Sequence, residues 1–369
     1  MVVQMGKMLF AILCIIIAVF LFGCTTQSSA GTDTNGMIVI GVIAPLSGSL
    51  AEYGVAFKNG IELANIENPN QKIRYVFEDN KFDPKEAITA FHKLQQIDRA
   101  SVILNWGTPT SEAIAPLTKD AKIPFIAIST EPPVTLQSEY VIRGGFNQPK
   151  DYANVLWNYL RSKGIKRIGI VRTQLVYLNT LYDELQKEMV LGESIELIDT
   201  YESDSKDFRA ALTKIRDSNY DAVGVFLVSG QISQFYKQAQ ELGVTMKTFG
   251  SDFFESQSEI DGAQGLMNGA VYANTGVTKD FYEKYVNKYG NASQIAFAGA
   301  GYDLAKILNT QVNFTDTNSI LISIKEVKNF LGVEGNLSYV QTADDKYFLK
   351  PTYLKEIVNN SVKVLNGNN

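Results

Sequence analysis

The chain has 369 residues, 34 Lys and Arg against 39 Asp and Glu, a formal net charge of −5, two cysteines and one histidine. That balance offers no basic footprint for nucleic acid, no Cys/His cluster for zinc, and only His92 as an imidazole for a Ser-His-Asp or Cys-His arrangement. The length exceeds what one core usually organises, so two domains are expected.

The first segment reads as an address. Lys7 is the only charge before Leu9 to Phe22, an almost continuous apolar run shorter than the roughly 20 residues of a spanning helix, and it closes on Leu21-Phe22-Gly23-Cys24. This is a lipobox pattern: residues 1–23 form a signal peptide and Cys24 carries the lipid. Cys14 lies inside the removed stretch, so no disulfide is available to the mature body. Residues 24–36, rich in Thr, Ser, Gln, Gly and Asn, read as a flexible lipid tether.

The folded body starts near Met37. The run Ile38-Val-Ile-Gly-Val-Ile-Ala44 is apolar and rich in β-branched residues, the pattern of a strand covered on both faces. Helical spacing follows over Ala51 to Asn65, then a strand at Ile73 to Phe77. Asp83-Pro84 opens a helix as N-cap and first helical residue. Ser101 to Leu104 is a strand, Thr110 to Ala121 a helix, Pro124 to Ile128 a strand. A second series begins after Gly144-Gly145: helix Tyr152 to Lys163, strand Arg167 to Val171, helix Leu178 to Val190, strand Ile195 to Tyr201, helix Phe208 to Arg216, strand Ala222 to Val228, and helix Ile232 to Leu242 with Gly243 as its C-cap residue. A short strand at Lys247 to Phe249, another at Ala270 to Ala273, and helices over Lys279 to Lys288 and Gln294 to Leu308 follow. The tail reads as strands around Tyr347 and Tyr353 to Val364, with an Asn359-Asn360 hairpin turn. Repeated strand-helix alternation argues parallel doubly wound sheets in two similar lobes.

In such sheets ligands bind at the carboxyl ends of the strands. Thr108-Pro109-Thr110-Ser111 follows one strand and presents hydroxyls with free backbone N–H groups, a setting that suits a carboxylate as well as an ordinary helix cap. Ser129-Thr130-Glu131 and Ser251-Asp252 follow two others, and an acid at such a place serves either as a loop residue or as partner to an ammonium group. Tyr53, Tyr177 and Phe297 suit either aromatic walls or core. His92, among Phe91 and Leu94, reads as a helix residue rather than a general base.

The order of these segments resembles the type I periplasmic binding proteins of the leucine/isoleucine/valine-binding family. The resemblance is carried by Ile40-Gly-Val-Ile-Ala-Pro-Leu-Ser-Gly48, Ala51-Glu-Tyr-Gly54, Phe57 to Ala64, Glu78-Asp79-Asn80, Asp83-Pro84-Lys85-Glu86-Ala87, Thr108 to Pro116, Ile123-Pro-Phe-Ile126 and Asp207-Phe208. It implies two Rossmann-like lobes joined by a three-crossing hinge, with 37–143 plus 273–329 in the N-terminal lobe and 144–272 plus 330–369 in the C-terminal lobe. It also implies no enzyme activity and no cofactor.

By the same resemblance Thr108 binds the ligand carboxylate, the Ser129 carbonyl takes the ammonium with Thr130 following it in the site, Asp252 pairs with the ammonium, and Tyr53, Tyr177 and Phe297 supply walls. Glu131 falls where the family has a threonine hydroxyl, and a like charge there disfavours an anionic group. The function implied is an extracytoplasmic, lipid-anchored protein that captures an amino acid or similar small polar solute and delivers it to an ABC permease. The alternative is an extracellular sensing domain for an amide, urea-like or cationic solute.

Overall fold

The computed structural model describes residues 36–365. The signal peptide, Cys24 and the tether up to Asn35 lie outside the described residues. The first series comprises β1 (Ile38–Ala44), α1 (Ala51–Glu67), β2 (Ile73–Asp79), α2 (Pro84–Gln96), β3 (Val102–Trp106), α3 (Thr108–Ile114), α4 (Leu117–Ala121), β4 (Phe125–Ile128) and β5 (Val141–Arg143). The second comprises α5 (Pro149–Ser162), β6 (Arg167–Thr173), α6 (Val176–Lys187), β7 (Ser194–Tyr201), α7 (Arg209–Arg216), β8 (Ala222–Phe226), α8 (Ile232–Glu241), β9 (Thr248–Gly250), α9 (Gln257–Gly262) and β10 (Val271–Asn274).

Each series makes a parallel sheet, in the order β2-β1-β3-β4-β5 in one lobe and β7-β6-β8-β9-β10 in the other. The two orders are the same. In both, the strand order reverses between the first strand and the third, which is the position where a doubly wound sheet opens a crevice at its carboxyl edge. Continuous apolar runs make this possible: six of the seven residues of β1 and all of β3, β4 and β8 are buried, as two-faced coverage by helices requires.

Local chemistry fixes the helix starts. The Asp83 carboxylate accepts from the Lys85 and Glu86 N–H groups at 2.8 and 3.1 Å, a cap of about 1 kcal/mol. His92 lies exposed on α2. After β10 the chain returns to the first lobe as α10 (Lys279–Tyr289), α11 (Ile295–Thr310) and α12 (Thr317–Lys325). Helix α11 packs on α1 at backbone contact. A Cβ on Gly60 would lie 1.9 Å from the Ala298 carbonyl oxygen, and one on Gly301 would lie 2.2 Å from that of Phe57, so only glycine permits this approach. It sets Phe297 beside Tyr53.

The tail corrects one boundary. The strands β11 (Phe330–Gly332), β12 (Gly335–Gln341) and β13 (Lys346–Leu349) extend the first sheet beyond β5, through the pair Tyr347 with Arg143, and do not belong to the second lobe with the rest of 330–369. Only β14 (Tyr353–Val358) and β15 (Ser361–Val364) join the second sheet, as an antiparallel edge on β10. The physical reason is the third crossing, which falls between Leu349 and Tyr353. Asn359 and Asn360 do form the two-residue hairpin turn, both with φ in the left-handed region.

The lobes are therefore joined after β5, after β10 and after β13. Buried polar groups tie the crossings together. Asn147 Nδ2 donates to the Lys350 carbonyl and to Thr352 Oγ1, each at 2.6 Å, and the Lys350 ammonium holds both Glu334 oxygens at 2.7 Å. Among the described residues no helix is long and apolar enough to cross a membrane.

Candidate ligand site between the lobes

The carboxyl ends of the strands in both lobes face one cavity of about 100 Å³. Its first-lobe wall is Tyr53, Phe82, Trp106, Gly107, Thr108, Pro109, Glu112, Ile128, Thr130 and Phe297, and its second-lobe wall is Phe146, Leu175, Val176, Tyr177, Asp252 and Phe253. Gly107 allows the sharp exit from β3: its φ is +116, and a Cβ there would lie 2.8 Å from both the Phe82 ring and Thr110 Oγ1. Behind that turn the buried Asn105 amide donates to Thr110 Oγ1 at 3.0 Å and Ser111 Oγ at 2.8 Å, which fixes the start of α3.

The aromatic walls touch one another. Ring centroids are 6.0 Å apart for Tyr53 and Phe253, 6.4 Å for Phe253 and Tyr177, 6.3 Å for Tyr177 and Phe146, 5.3 Å for Phe146 and Phe297, and 5.7 Å for Phe297 and Tyr53. These five rings close a circuit through both lobes. Trp106 stacks onto its first-lobe side, 5.4 Å from both Tyr53 and Phe297.

Three hydrogen bonds bridge the lobes around this circuit. The Tyr53 and Ser229 hydroxyls are 2.7 Å apart, Ser256 Oγ donates to Glu52 at 2.9 Å, and Thr180 Oγ1 donates to Glu131 at 3.1 Å. The arrangement is that of a closed clamp.

Asp252 is the electrostatic centre of the cleft. It begins the short 3₁₀ turn Asp252–Glu255, is 4 % exposed, and has one carboxylate oxygen, Oδ1, with no hydrogen-bond partner. Burial pushes its carboxyl up to about 6 against the opposing Tyr177 hydroxyl, and the nearby Glu255 adds to the rise. Glu255 itself is paired with the buried Lys355 at 2.7 Å. Trp106 Nε1 is a second unpartnered buried atom in the wall, a donor. An unmet acceptor and an unmet donor in the wall of one cavity are what a polar ligand would satisfy.

Six of the eight residues singled out in the sequence line the cavity: Tyr53, Thr108, Thr130, Tyr177, Asp252 and Phe297. Ser129 and Glu131 do not. The Ser129 hydroxyl donates to Thr108 Oγ1 and accepts from the Glu131 N–H, while its carbonyl accepts from Arg143 at 2.8 Å. The Glu131 carboxylate is occupied by the Thr130 and Thr180 hydroxyls, and burial raises its carboxyl above the usual range. The sequence reading misses Phe82, Trp106, Glu112, Phe146 and Phe253. Trp106 carries the same signal as Thr108, since it ends β3, but as the last residue of an apolar run it reads as core.

Two doubly wound lobes, three crossings and a cavity between their paired switch points define a solute-binding protein of the clamp type. The chain belongs to the periplasmic binding protein family, whose sequence profile matches residues 37–346. It is a binding protein and not an enzyme.

The Leu/Ile/Val-binding protein BraC3 of Rhizobium johnstonii is 23% identical over 330 residues, 83% of this chain and 88% of that protein. Among solved structures, the leucine-binding protein LivK of Thermotoga maritima superposes with a TM-score of 0.80 at 24% identity, covering 89% of this chain and 98% of that one. A solute-binding protein of an ABC transporter from Rhodopseudomonas palustris, solved with 3,4-dihydroxybenzoic acid, superposes at 0.75 with 21% identity, covering 89% and 95%. These structures share the fold.

Proposed function

We propose that the protein is the lipid-anchored, extracytoplasmic capture subunit of an ABC transporter, binding an amino acid or a similar small solute that bears an ammonium group and handing it to the permease. The observation that carries the ligand class is Asp252, a buried carboxylate with an unpartnered oxygen in the wall of a cavity closed by both lobes. A cation placed there replaces the water the carboxylate has lost. Names of relatives support the amino-acid reading, since BraC3 is a Leu/Ile/Val-binding protein and LivK a leucine-binding protein. Closure then follows by population shift, because only a solute touching both walls prefers the closed state.

A thermal-shift screen of the purified protein against amino acids and small polar amines tests this. A true ligand at a hundredfold excess over its dissociation constant adds about 2.7 kcal/mol of stability; a flat response across the whole set contradicts it. The anchor is tested separately. Cys24→Ser is expected to move the protein from the membrane fraction to the soluble one, and unchanged partitioning contradicts lipidation at Cys24.

A further inference from the structure

Resting on the reading that the cleft takes an ammonium-bearing solute, we propose that its ligand is a monocation in which a neutral hydrogen-bond acceptor stands where an amino acid has its carboxylate: an amino-acid amide, an amino alcohol or a related small amine, held in the ring of five aromatic side chains.

Four observations converge on this. The first is charge. The cavity wall carries two carboxyl groups, Asp252 and Glu112, and among the described residues that line it there is no Lys, Arg or His. The buried cations nearby are engaged elsewhere: Arg143 is held by Asp345 at 2.5 Å and Lys355 by Glu255 at 2.7 Å. A zwitterion leaves the wall's excess negative charge unbalanced, whereas a monocation reduces it.

The second is the state of the expected carboxylate seat. Thr108 Oγ1 lies 3.1 Å from Thr130 Oγ1 and accepts from the Thr130 N–H at 3.2 Å and from Ser129 Oγ at 3.3 Å. These donors are consumed by one another. The Thr130 hydroxyl also donates to the Glu131 carboxylate at 3.3 Å, so a second acid borders the seat. A carboxylate placed here meets spent hydroxyls and a like charge.

The third is the aromatic circuit of Tyr53, Phe253, Tyr177, Phe146 and Phe297, drawn from both lobes, since ring faces attract an ammonium group and its alkyl substituents in a desolvated site. The fourth is the pair of unmet atoms, Asp252 Oδ1 and Trp106 Nε1. One acceptor facing an ammonium and one donor facing a single neutral oxygen match an amide or alcohol. Among the side-chain donors of the wall, one unmet indole N–H leaves a carboxylate, with about four lone-pair sites, mostly unsatisfied.

The test uses matched probes. Valine, leucine and phenylalanine are each titrated calorimetrically into the full-length protein in detergent at pH 7, as the acid, the amide and the alcohol, which differ only at the carboxyl group. At least one amide or alcohol is expected to bind tenfold or more tighter than its acid, and Glu112→Gln is expected to shrink that ratio by weakening the preference for net positive charge. An acid that binds as tightly as its amide, or a ratio unmoved in Glu112→Gln, overturns the inference while the ammonium reading stands. Absence of binding by all nine probes overturns both.

Discussion

Buried charge is handled in opposite ways at the crossings and in the cleft. At the crossings every group is met: Arg143 and Asp345, both fully buried, share three contacts of 2.5–3.1 Å, with Thr135 and Gln148 filling the remaining sites on the carboxylate. Lys350 and Glu334 form an equally enclosed pair. In the cleft, Asp252 keeps an oxygen without a partner inside a wall of rings. A completed pair fixes geometry. An incomplete one leaves free energy to be recovered by whatever completes it, and it sits where completion joins the lobes.

The largest expected effect comes from breaking the completed side. Asp345→Ala strands the Arg143 guanidinium in a dry site, and loss of about 3–5 kcal/mol of folding stability is expected in denaturant titrations; a loss under about 1 kcal/mol would remove the pair from the account. Asp252→Asn is expected to do the reverse. It should weaken an ammonium ligand by about 2–4 kcal/mol, since the ligand charge is then buried without its partner, while the empty protein keeps its melting temperature or gains.

Protonation sharpens the same contrast with a smaller effect. Folding raises the Asp252 and Asp303 carboxyls to about 6, in each case through burial, so between their unfolded values near 4 and about 6 the folded protein binds more protons than the unfolded chain. These groups therefore make the empty protein more stable as pH falls from 7 toward 5, read as a rising melting temperature. Ligand binding moves the other way, because an ammonium requires ionised Asp252: affinity should fall by up to about tenfold per pH unit below about 6. The smallest effect is expected at the lobe bridges. Thr180→Val removes one hydrogen bond to Glu131 and should cost about 0.5–1.5 kcal/mol of closure, seen as a modestly faster ligand off-rate.

How far the sequence reveals this molecule differs between its parts for physical reasons. Strands β1, β3, β4 and β8 are legible because burial on both faces demands unbroken apolar runs, and α2 is legible because Asp83-Pro84 is a cap in any context. Strands β11 and β12 are not, since only two of their ten residues are buried; β13 is legible as a strand but not as part of the first sheet, because its partner there, Arg143 on β5, lies some 200 positions earlier in the chain. In the site, Thr108 and Asp252 announce themselves as polar residues after strands. Phe82, Trp106, Phe146 and Phe253 do not, because an aromatic side chain reads as core until three-dimensional convergence shows that its neighbours leave a space. Glu131 shows the converse: its position after β4 is correct for a ligand contact, but a hydroxyl from the opposite lobe reaches it first.

The most direct test is the dissociation constant of the tightest ligand found, measured at pH 7 and pH 5 for the wild type and for Asp252→Asn. The expected result is an affinity that drops about tenfold between the two pH values in the wild type and one that is weak and nearly pH-independent in the variant. Equal affinities for the two proteins at pH 7 would contradict it.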